Sequence, residues 1–312
     1  MLEERCFSRP LGHRQMSVVG GRYYYSVIIV TYRSSAFIGK CLEQLIVMPK
    51  VEIIVVDNDS QDGTSTLIER NFPSIKVIAL NENLGFGRAC NIGVAASNSS
   101  FFVFLNPDAV ASPDALKTLV MFLEKHPRAG IVGARLIDPL GRPLQSMGER
   151  PSLIGLMLDK PMAWVAKHVG HRGVLRVLIG KMSVKFRLPS DPEPVPWVSG
   201  AALCCRRSTW DAIGGFDEKF FLYYEDVDLC LRASQAGWEV WHTPEAVVSH
   251  QSGASFNGNL DFQKHVYFKN QRYFFQKNCG PLTVFFLLLF QKSYSHLKLY
   301  RQLASDRIGP SV

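Results

Sequence analysis

Val51-Glu-Ile-Ile-Val-Val-Asp-Asn-Asp-Ser-Gln-Asp-Gly63 is a short run of β-branched residues that gives way at once to an acidic loop. A run of this length reads as a strand buried on both faces, and Asp62-Gly63 reads as the turn into a following helix. Working outward, the same alternation repeats. Upstream, Ser26 to Thr31 is a second apolar strand, followed by a helical pattern from Ala36 to Ile46. Downstream come a helix from Asp62 to Asn71, a strand from Ile75 to Leu80, a helix from Phe86 to Ala96, a strand from Phe101 to Leu105, and a helix from Pro113 to Lys125. Ser112-Pro113-Asp114 places a cap, a first-turn proline and a first-turn acid in order. The pattern predicts an α/β fold with a mostly parallel central sheet and helices on both faces, in which ligands bind at the carboxyl ends of the strands.

Beyond Asp138-Pro-Leu-Gly-Arg-Pro143 lie a basic segment and a proline-rich link, Pro189 to Pro196. A second ordered part follows: a strand from Trp197 to Leu203, a short helix from Ser208, the turn Gly214-Gly215-Phe216, a helix from Asp226 to Ala236, and strands at Trp238 to His242 and Ala246 to Ser249. No internal repeat or low-complexity tract interrupts this order. The expected division is an N-terminal extension (1–22), a main domain (23–253) carrying a basic insert (151–196), and a C-terminal helical region (254–312).

With 312 residues, 47% apolar and 20% charged, the composition is that of a globular protein with a sizeable core. The seven cysteines (Cys6, Cys41, Cys90, Cys204, Cys205, Cys230 and Cys279) show no zinc spacing and read as reduced thiols, three of them in apolar helical patterns. No apolar run before a small-residue cleavage site marks a secretory signal, so a cytoplasmic location is expected. A net charge of +8 and a pI near 9.1 favour an anionic partner: nucleic acid, an anionic membrane surface or a diphosphate substrate. No nucleic-acid reading module accompanies the charge. From Lys160 to Arg187, basic residues interleave with Trp164, Val165 and the run Val174 to Ile179, a pattern shared by interfacial helices and by ordinary amphipathic helices with a solvated basic face. Leu282 to Phe290 is apolar but too short to span a bilayer, which takes about 20 residues.

The chemistry sits in the loops. Asp57, Asn58, Asp59 and Asp62 cluster just beyond the second strand; Asp57 suits hydrogen bonds from a base N–H or ribose hydroxyls, whereas Asp62 suits a helix-capping turn. Asn83-Leu-Gly-Phe-Gly87-Arg-Ala-Cys90 lacks the third glycine of a dinucleotide fingerprint, and no Walker motif is present. It remains a loop opening a helix, where backbone N–H groups can meet phosphate oxygens with Asn83 and Arg88 as added donors. Asn106-Pro-Asp108 puts Asp108 at a rigid strand end suited to a divalent cation, and His250 offers a complementary nitrogen. In Phe221-Leu-Tyr-Tyr-Glu-Asp-Val-Asp-Leu229 the acids gain from the helix dipole, and Asp226 can also take a proton from a hydroxyl nucleophile. Asp228 and Arg232, four apart, are expected to pair as scaffolding.

These motifs, in this order and together with Gly214-Gly-Phe-Asp-Glu-Lys-Phe220, resemble those of inverting family 2 glycosyltransferases of the GT-A fold, and more narrowly the rhamnosyltransferase-like and galactofuranosyltransferase-like enzymes of bacterial surface polysaccharide synthesis. The resemblance runs from about Ser26 to Gly253. It implies a nucleotide-diphosphate sugar donor bound by Thr31, Tyr32, Asp57, Asp59, Asn83, Gly85, Gly87, Arg88, Asn91, Asn106 and Asp108. It also implies an acceptor side formed by Trp197, Gly200 and Glu225, Asp226 as general base, and a divalent cation (Mg or Mn) held by Asp108 and His250. Asn106 stands where many relatives carry the first Asp of an Asp-x-Asp motif.

The implied reaction is a single displacement onto a lipid-linked or oligosaccharide acceptor, with an anionic surface at the inner face of the cell membrane as a further partner. Two rival functions stand beside it. A sugar nucleotidyltransferase would need a glycine-rich basic loop after the first strand, where this chain has Thr31-Tyr-Arg-Ser-Ser35; a non-catalytic saccharide-binding protein would not need Asp57, Asp108 and Asp226 together.

Overall fold

A computed structural model describes residues 24–156, 189–251, 260–289 and 291–292. The expected N-terminal extension and the basic stretch from Lys160 to Arg187 lie outside these residues.

The first half follows the predicted alternation: β1 (Tyr25–Thr31), α1 (Ile38–Leu45), β2 (Val51–Asp57), α2 (Thr64–Asn71), β3 (Lys76–Ala79), α3 (Phe86–Ala95), β4 (Phe101–Leu105), β5 (Ala109–Ala111), α4 (Pro113–Lys125) and β6 (Ala129–Ile137). Ser112 caps α4 as expected, accepting from the Ala115 N–H at 3.2 Å. The second half runs β7 (Met147–Gly148), β8 (Glu193–Pro194), β9 (Trp197–Val198), β10 (Ala202–Arg206), α5 (Arg207–Ile213), α6 (Glu225–Gln235), β11 (Glu239–His250) and α7 (Leu260–Cys279). Residues 281–289 continue as a further helix.

The main sheet has the order β3-β2-β1-β4-β10-β6-β11-β5, with β8 alongside β11, while β7 and β9 form a separate pair. β1 to β4 are parallel, as the crossover helices require. In the other half β6 and β11 are again parallel, while β10 runs antiparallel to both β4 and β6 and β5 antiparallel to β11. Strand direction leaves no mark on the hydrophobic pattern of a strand buried on both faces, so periodicity could not reveal the reversal. β5, β6 and the short pairs were not anticipated.

Two further expectations are corrected. Trp197 to Leu203 is not one strand: the chain turns at 199–201, and Val198 pairs with Met147 while Ala202 pairs with Leu105. Conversely, 239–250 is one strand whose register to β6 slips between Thr243 and Val247. Pro244, which has no N–H for the ladder, sits inside that bulge.

Alternation along the central strands builds two cores. Val27, Ile29, Val55, Val103, Leu105 and Cys204 face α1, α2 and α4. Ile28, Val30, Ile54, Val56, Phe104 and Cys205 face α3, α5 and α6. The described cysteines are all free, and all but Cys279 are buried, as expected of core thiols. A third cluster joins Phe220, Tyr224 and Val227 to Phe274 and Phe275 of α7 and to Leu287.

Candidate active site

The carboxyl ends of β1, β2 and β4 bring the predicted loops together. Asp57 ends β2 nearly inaccessible to solvent; its Oδ1 accepts from Thr31 Oγ1 at 3.2 Å and from the Ser60 N–H at 3.1 Å, and its Oδ2 from Ser65 Oγ. A carboxylate offers about four acceptor positions, so one is left for a ligand. Tyr32 and Asp59 are partly exposed beside it, and Asp59 holds a left-handed φ of 65°. Asp62 does what its turn predicts, accepting from Thr64 and Ser35; burial opposes these bonds, which nonetheless hold its carboxyl below the usual range.

Asn58 is a residue whose role the sequence did not disclose. Its amide donates to Asn83 Oδ1 at 2.8 Å and to the Gly85 carbonyl at 3.2 Å, and its own oxygen accepts from the Leu84 N–H at 2.8 Å, clamping two loops together. Gly85 N–H donates to Asn83 Oδ1 and Phe86 N–H to the Phe221 carbonyl. The N–H groups of residues 84–86 are therefore committed internally, and any phosphate contact here would have to use those further into α3. Gly85, at φ 83°, has no room for a side chain, since a Cβ would stand 2.3 Å from Phe221 O. Gly87 packs less tightly, a Cβ there standing 3.0 Å from the Phe216 side chain.

Arg88 and Asn91 turn toward the 214–218 loop. Arg88 Nε lies 3.3 Å from Glu218 Oε2 in an exposed pair. Asn91 accepts from the Phe216 N–H at 2.9 Å and donates to its carbonyl at 3.0 Å, which makes it a brace of that turn.

At the end of β4, Asn106 N–H donates to the Ala201 carbonyl at 3.0 Å, fixing the Asn-Pro-Asp turn against the 199–201 turn. His250 arrives from β11, where it pairs with Ala109, and its Nε2 stands 3.1 Å from Asp108 Oδ1 and 3.2 Å from Asn106 Nδ2. The carboxylate oxygen and imidazole nitrogen predicted as metal ligands thus converge from segments 142 positions apart. Among the described residues no group of three or more His, Cys, Asp or Glu gathers as a metal cluster. The donor set fits a hard divalent ion that takes one or two protein ligands and fills its remaining positions with substrate oxygens and water.

Asp226 sits in the first turn of α6. Its Oδ2 accepts from the Gly200 N–H at 2.9 Å and its Oδ1 from the Val227 N–H at 2.8 Å. Burial raises its carboxyl above the ordinary value despite these bonds. Glu225 turns inward instead, 5% exposed, with Oε2 lacking a hydrogen-bond partner; burial, with the neighbouring Asp226 charge added, pushes it well above the usual carboxylate range. Trp197 bonds the Glu149 carbonyl and lies against Gly148. Asp228 is fully buried and pairs with Arg232 at 2.7 Å, as its spacing predicts, and also with Lys277 of α7 at 2.7 Å, which no local pattern announced.

A family model described as Glycosyl transferase family 2 matches residues 26–175, and a second, Glycosyl transferase family group 2, matches residues 160–303. The N-acetylglucosaminyl-diphospho-decaprenol L-rhamnosyltransferase of Mycobacterium tuberculosis strain H37Rv is 30% identical over 251 residues, spanning 73% of this chain and 76% of that protein. The chain belongs to glycosyl transferase family 2. This family 2 glycosyltransferase is also similar to rhamnosyltransferase WbbL of Escherichia coli K12, 27% identical over 231 residues that cover 72% of the chain and 82% of WbbL. Among solved structures, mannosyltransferase PcManGT from Pyrobaculum calidifontis, in complex with GDP-Man and Mn2+, aligns with a TM-score of 0.55 at 18% identity, over 93% of this chain and 77% of its own. That likeness is one of fold, and the GT-A architecture is shared.

Proposed function

We propose that this glycosyltransferase moves a rhamnose-like hexose from a nucleotide-diphosphate donor to a lipid-linked saccharide acceptor in cell-surface polysaccharide synthesis, with inversion at the anomeric carbon. The observation that carries the reading is the pairing of two chemistries across one backbone link: Asp108 with His250 on one side, Asp226 held by Gly200 on the other, joined through the Asn106–Ala201 hydrogen bond. The acceptor in the name of the mycobacterial relative, an N-acetylglucosaminyl-diphospho-decaprenol, supports the lipid-linked acceptor.

Asp57 and the loops at 31–33, 58–59 and 83–85 form the floor for the nucleotide. Asp108 and His250 would hold a divalent cation, which when bound offsets the charge of the departing diphosphate. Asp226 takes the proton of the acceptor hydroxyl as that oxygen attacks from the face opposite the leaving group, and one displacement completes the transfer. The raised carboxyl of Asp226 suits a base that must hold a proton after accepting it.

A membrane surface as partner gains support from the helix at 281–289, while the anionic preference rests on the basic residues of the sequence. The helix leaves Leu282, Phe285, Phe286, Leu288 and Leu289 exposed, and an apolar groove of about 610 Å3 runs between it, Phe275 and Leu153-Ile154. No helix among the described residues is long and apolar enough to cross a membrane; an exposed apolar face of this kind suits contact at the surface. Co-sedimentation with neutral and anionic vesicles tests this; equal partitioning onto both removes the electrostatic contribution.

The reaction is tested by a thermal-shift screen of UDP, GDP, dTDP and their sugar conjugates with and without Mn2+ or Mg2+, followed by transfer from the stabilising donor to a polyprenyl-diphosphate saccharide. Ligand binding to the folded state raises Tm. A screen with no stabilising nucleotide sugar and no transfer sinks the proposal, and a product with retained anomeric configuration sinks the single displacement.

A further inference from the structure

Tyr223 and Tyr224, immediately before α6, both hold left-handed backbone, with φ of 69° and 72°. Two consecutive non-glycine residues do not rest there unaided, and such strain persists only where surroundings over-determine it. Those surroundings are largely α7. Asn270, 1% exposed, donates to the Leu222 carbonyl at 2.6 Å. Gln271 donates to Tyr224 Oη at 2.8 Å, and the Tyr224 ring packs on Phe274. Lys277 bonds Asp217 and Asp228 at 2.7 Å each, and Tyr273 adds a hydrogen bond to Asp217 at 2.9 Å. Burial works to raise the Asp217 carboxyl, but the bonds from Lys277, Lys219 and Tyr273 outweigh it and hold it below the ordinary range. Both ends of the 217–228 segment are thereby fastened to one lysine, and its strained middle to the preceding turns of the same helix.

We propose that α7 is the positioning element of the catalytic carboxylate: Asn270 and Lys277 impose the left-handed entry into α6 that sets Asp226 against the Gly200 N–H. The inference rests on the reading of Asp226 as general base. Neither residue contacts that carboxylate, so both act through the backbone. Without them, 221–224 relaxes toward extended conformations and the first turn of α6 loses its fixed direction. Asp228 would retain Arg232, whose guanidinium also bonds the Ile213 carbonyl at 2.7 Å, so α6 would keep its tie to α5 and lose the one to α7.

The test uses the full chain with Asn270→Ala, Lys277→Met and Lys277→Arg. Steady-state transfer, amide hydrogen exchange across 221–228 and Tm are measured for each. The expected result for Asn270→Ala and Lys277→Met is a kcat lower by about 10- to 100-fold, the cost of misplacing a reacting group by about 1 Å, with donor KM nearly unchanged. Exchange across 221–228 accelerates while that of β1 and β2 stays as in wild type, and Lys277→Arg recovers most of the lost rate. If Lys277→Met fails to fold because Asp228 is left short of a partner, Asn270→Ala, which removes only a neutral hydrogen bond, decides. Unchanged exchange at 221–228, faster exchange with wild-type kcat, or a rate loss that follows Tm and is not recovered by arginine would each overturn the assignment. Wild-type protein devoid of transfer activity would instead bring down the reading of Asp226 on which this rests.

Discussion

The Gly200 N–H donates to Asp226 Oδ2 at 2.9 Å, joining residues 26 positions apart at the point where β9 gives way to β10. Had 197–203 been one continuous strand, sheet pairing would have competed for that N–H. The turn at 199–201 leaves it free to orient one carboxylate oxygen and to stabilise its charge. This hydrogen bond opposes the effect of burial, and burial prevails.

Asp226→Asn keeps an oxygen to accept from Gly200 but loses basicity. The kcat should fall by about 10²- to 10⁴-fold, the usual contribution of a general base, with nucleotide affinity retained. A fall in affinity as large as the fall in turnover, measured by titration calorimetry and steady-state kinetics together, would reassign Asp226 to binding.

With Asp226 as the proposed base, the acid limb of the kcat/KM profile should lie above the ordinary aspartate value of about 3.9, because burial raises its carboxyl. Burial, with the neighbouring Asp226 charge added, raises the Glu225 carboxyl well above the usual carboxylate range. A Glu225 that stays protonated predicts that Glu225→Gln leaves the limb nearly where it is. A limb that drops by a full unit in this variant would show that Glu225 is charged in the working enzyme.

Asp108→Ala should weaken donor binding in a manner that depends on the divalent ion, and His250→Ala should do so less severely, since a carboxylate is the harder ligand. Titration of the donor with and without EDTA separates the two. Wild-type turnover that is indifferent to chelator removes the metal assignment.

Gly85→Ala forces a methyl group against the Phe221 carbonyl at a left-handed backbone position. The loss should exceed about 2 kcal/mol, beyond the range of ordinary surface changes. Denaturant unfolding reads it directly; a loss below 0.5 kcal/mol would mean that the two loops do not approach as described.

His242, buried in β11 with Nδ1 unpartnered, has its pKa lowered to about 4 by burial and by the nearby Arg135. The unfolded chain then binds the extra proton between that value and about 6.5, so stability is full above this window and is lost as pH falls through it. His242→Leu should flatten the dependence of Tm on pH between 4 and 6.5. An identical slope in both proteins would place the acid sensitivity elsewhere.

The loops carrying Asp57, Asp108 and Asp226 were legible because their residues lie at strand ends and a helix start, and strand and helix periods are local properties. Asn58 and Lys277 were not. Asn58 looks like any amide in a turn until the 83–85 loop meets it, and Lys277 is one of many lysines until α7 lies over a buried aspartate. The bonds of Asn91 to the Phe216 turn were equally hidden, since a polar residue in a glycine-rich motif is as available to a neighbouring turn as to a ligand.

Sequence alone specified the α/β alternation, the two-faced burial of β1, β2 and β4, the cap of α4, the Asp228–Arg232 pair and the family. Each depends on spacing within a few turns or strands, where side-chain direction follows from chain geometry alone. The reversal of β10, the break at 199–201, the meeting of His250 with Asp108, and the hold of α7 on the segment leading to Asp226 emerged with the three-dimensional packing. Those depend on which distant segments share a surface, and hydrophobicity selects what is buried without specifying its direction or its partner.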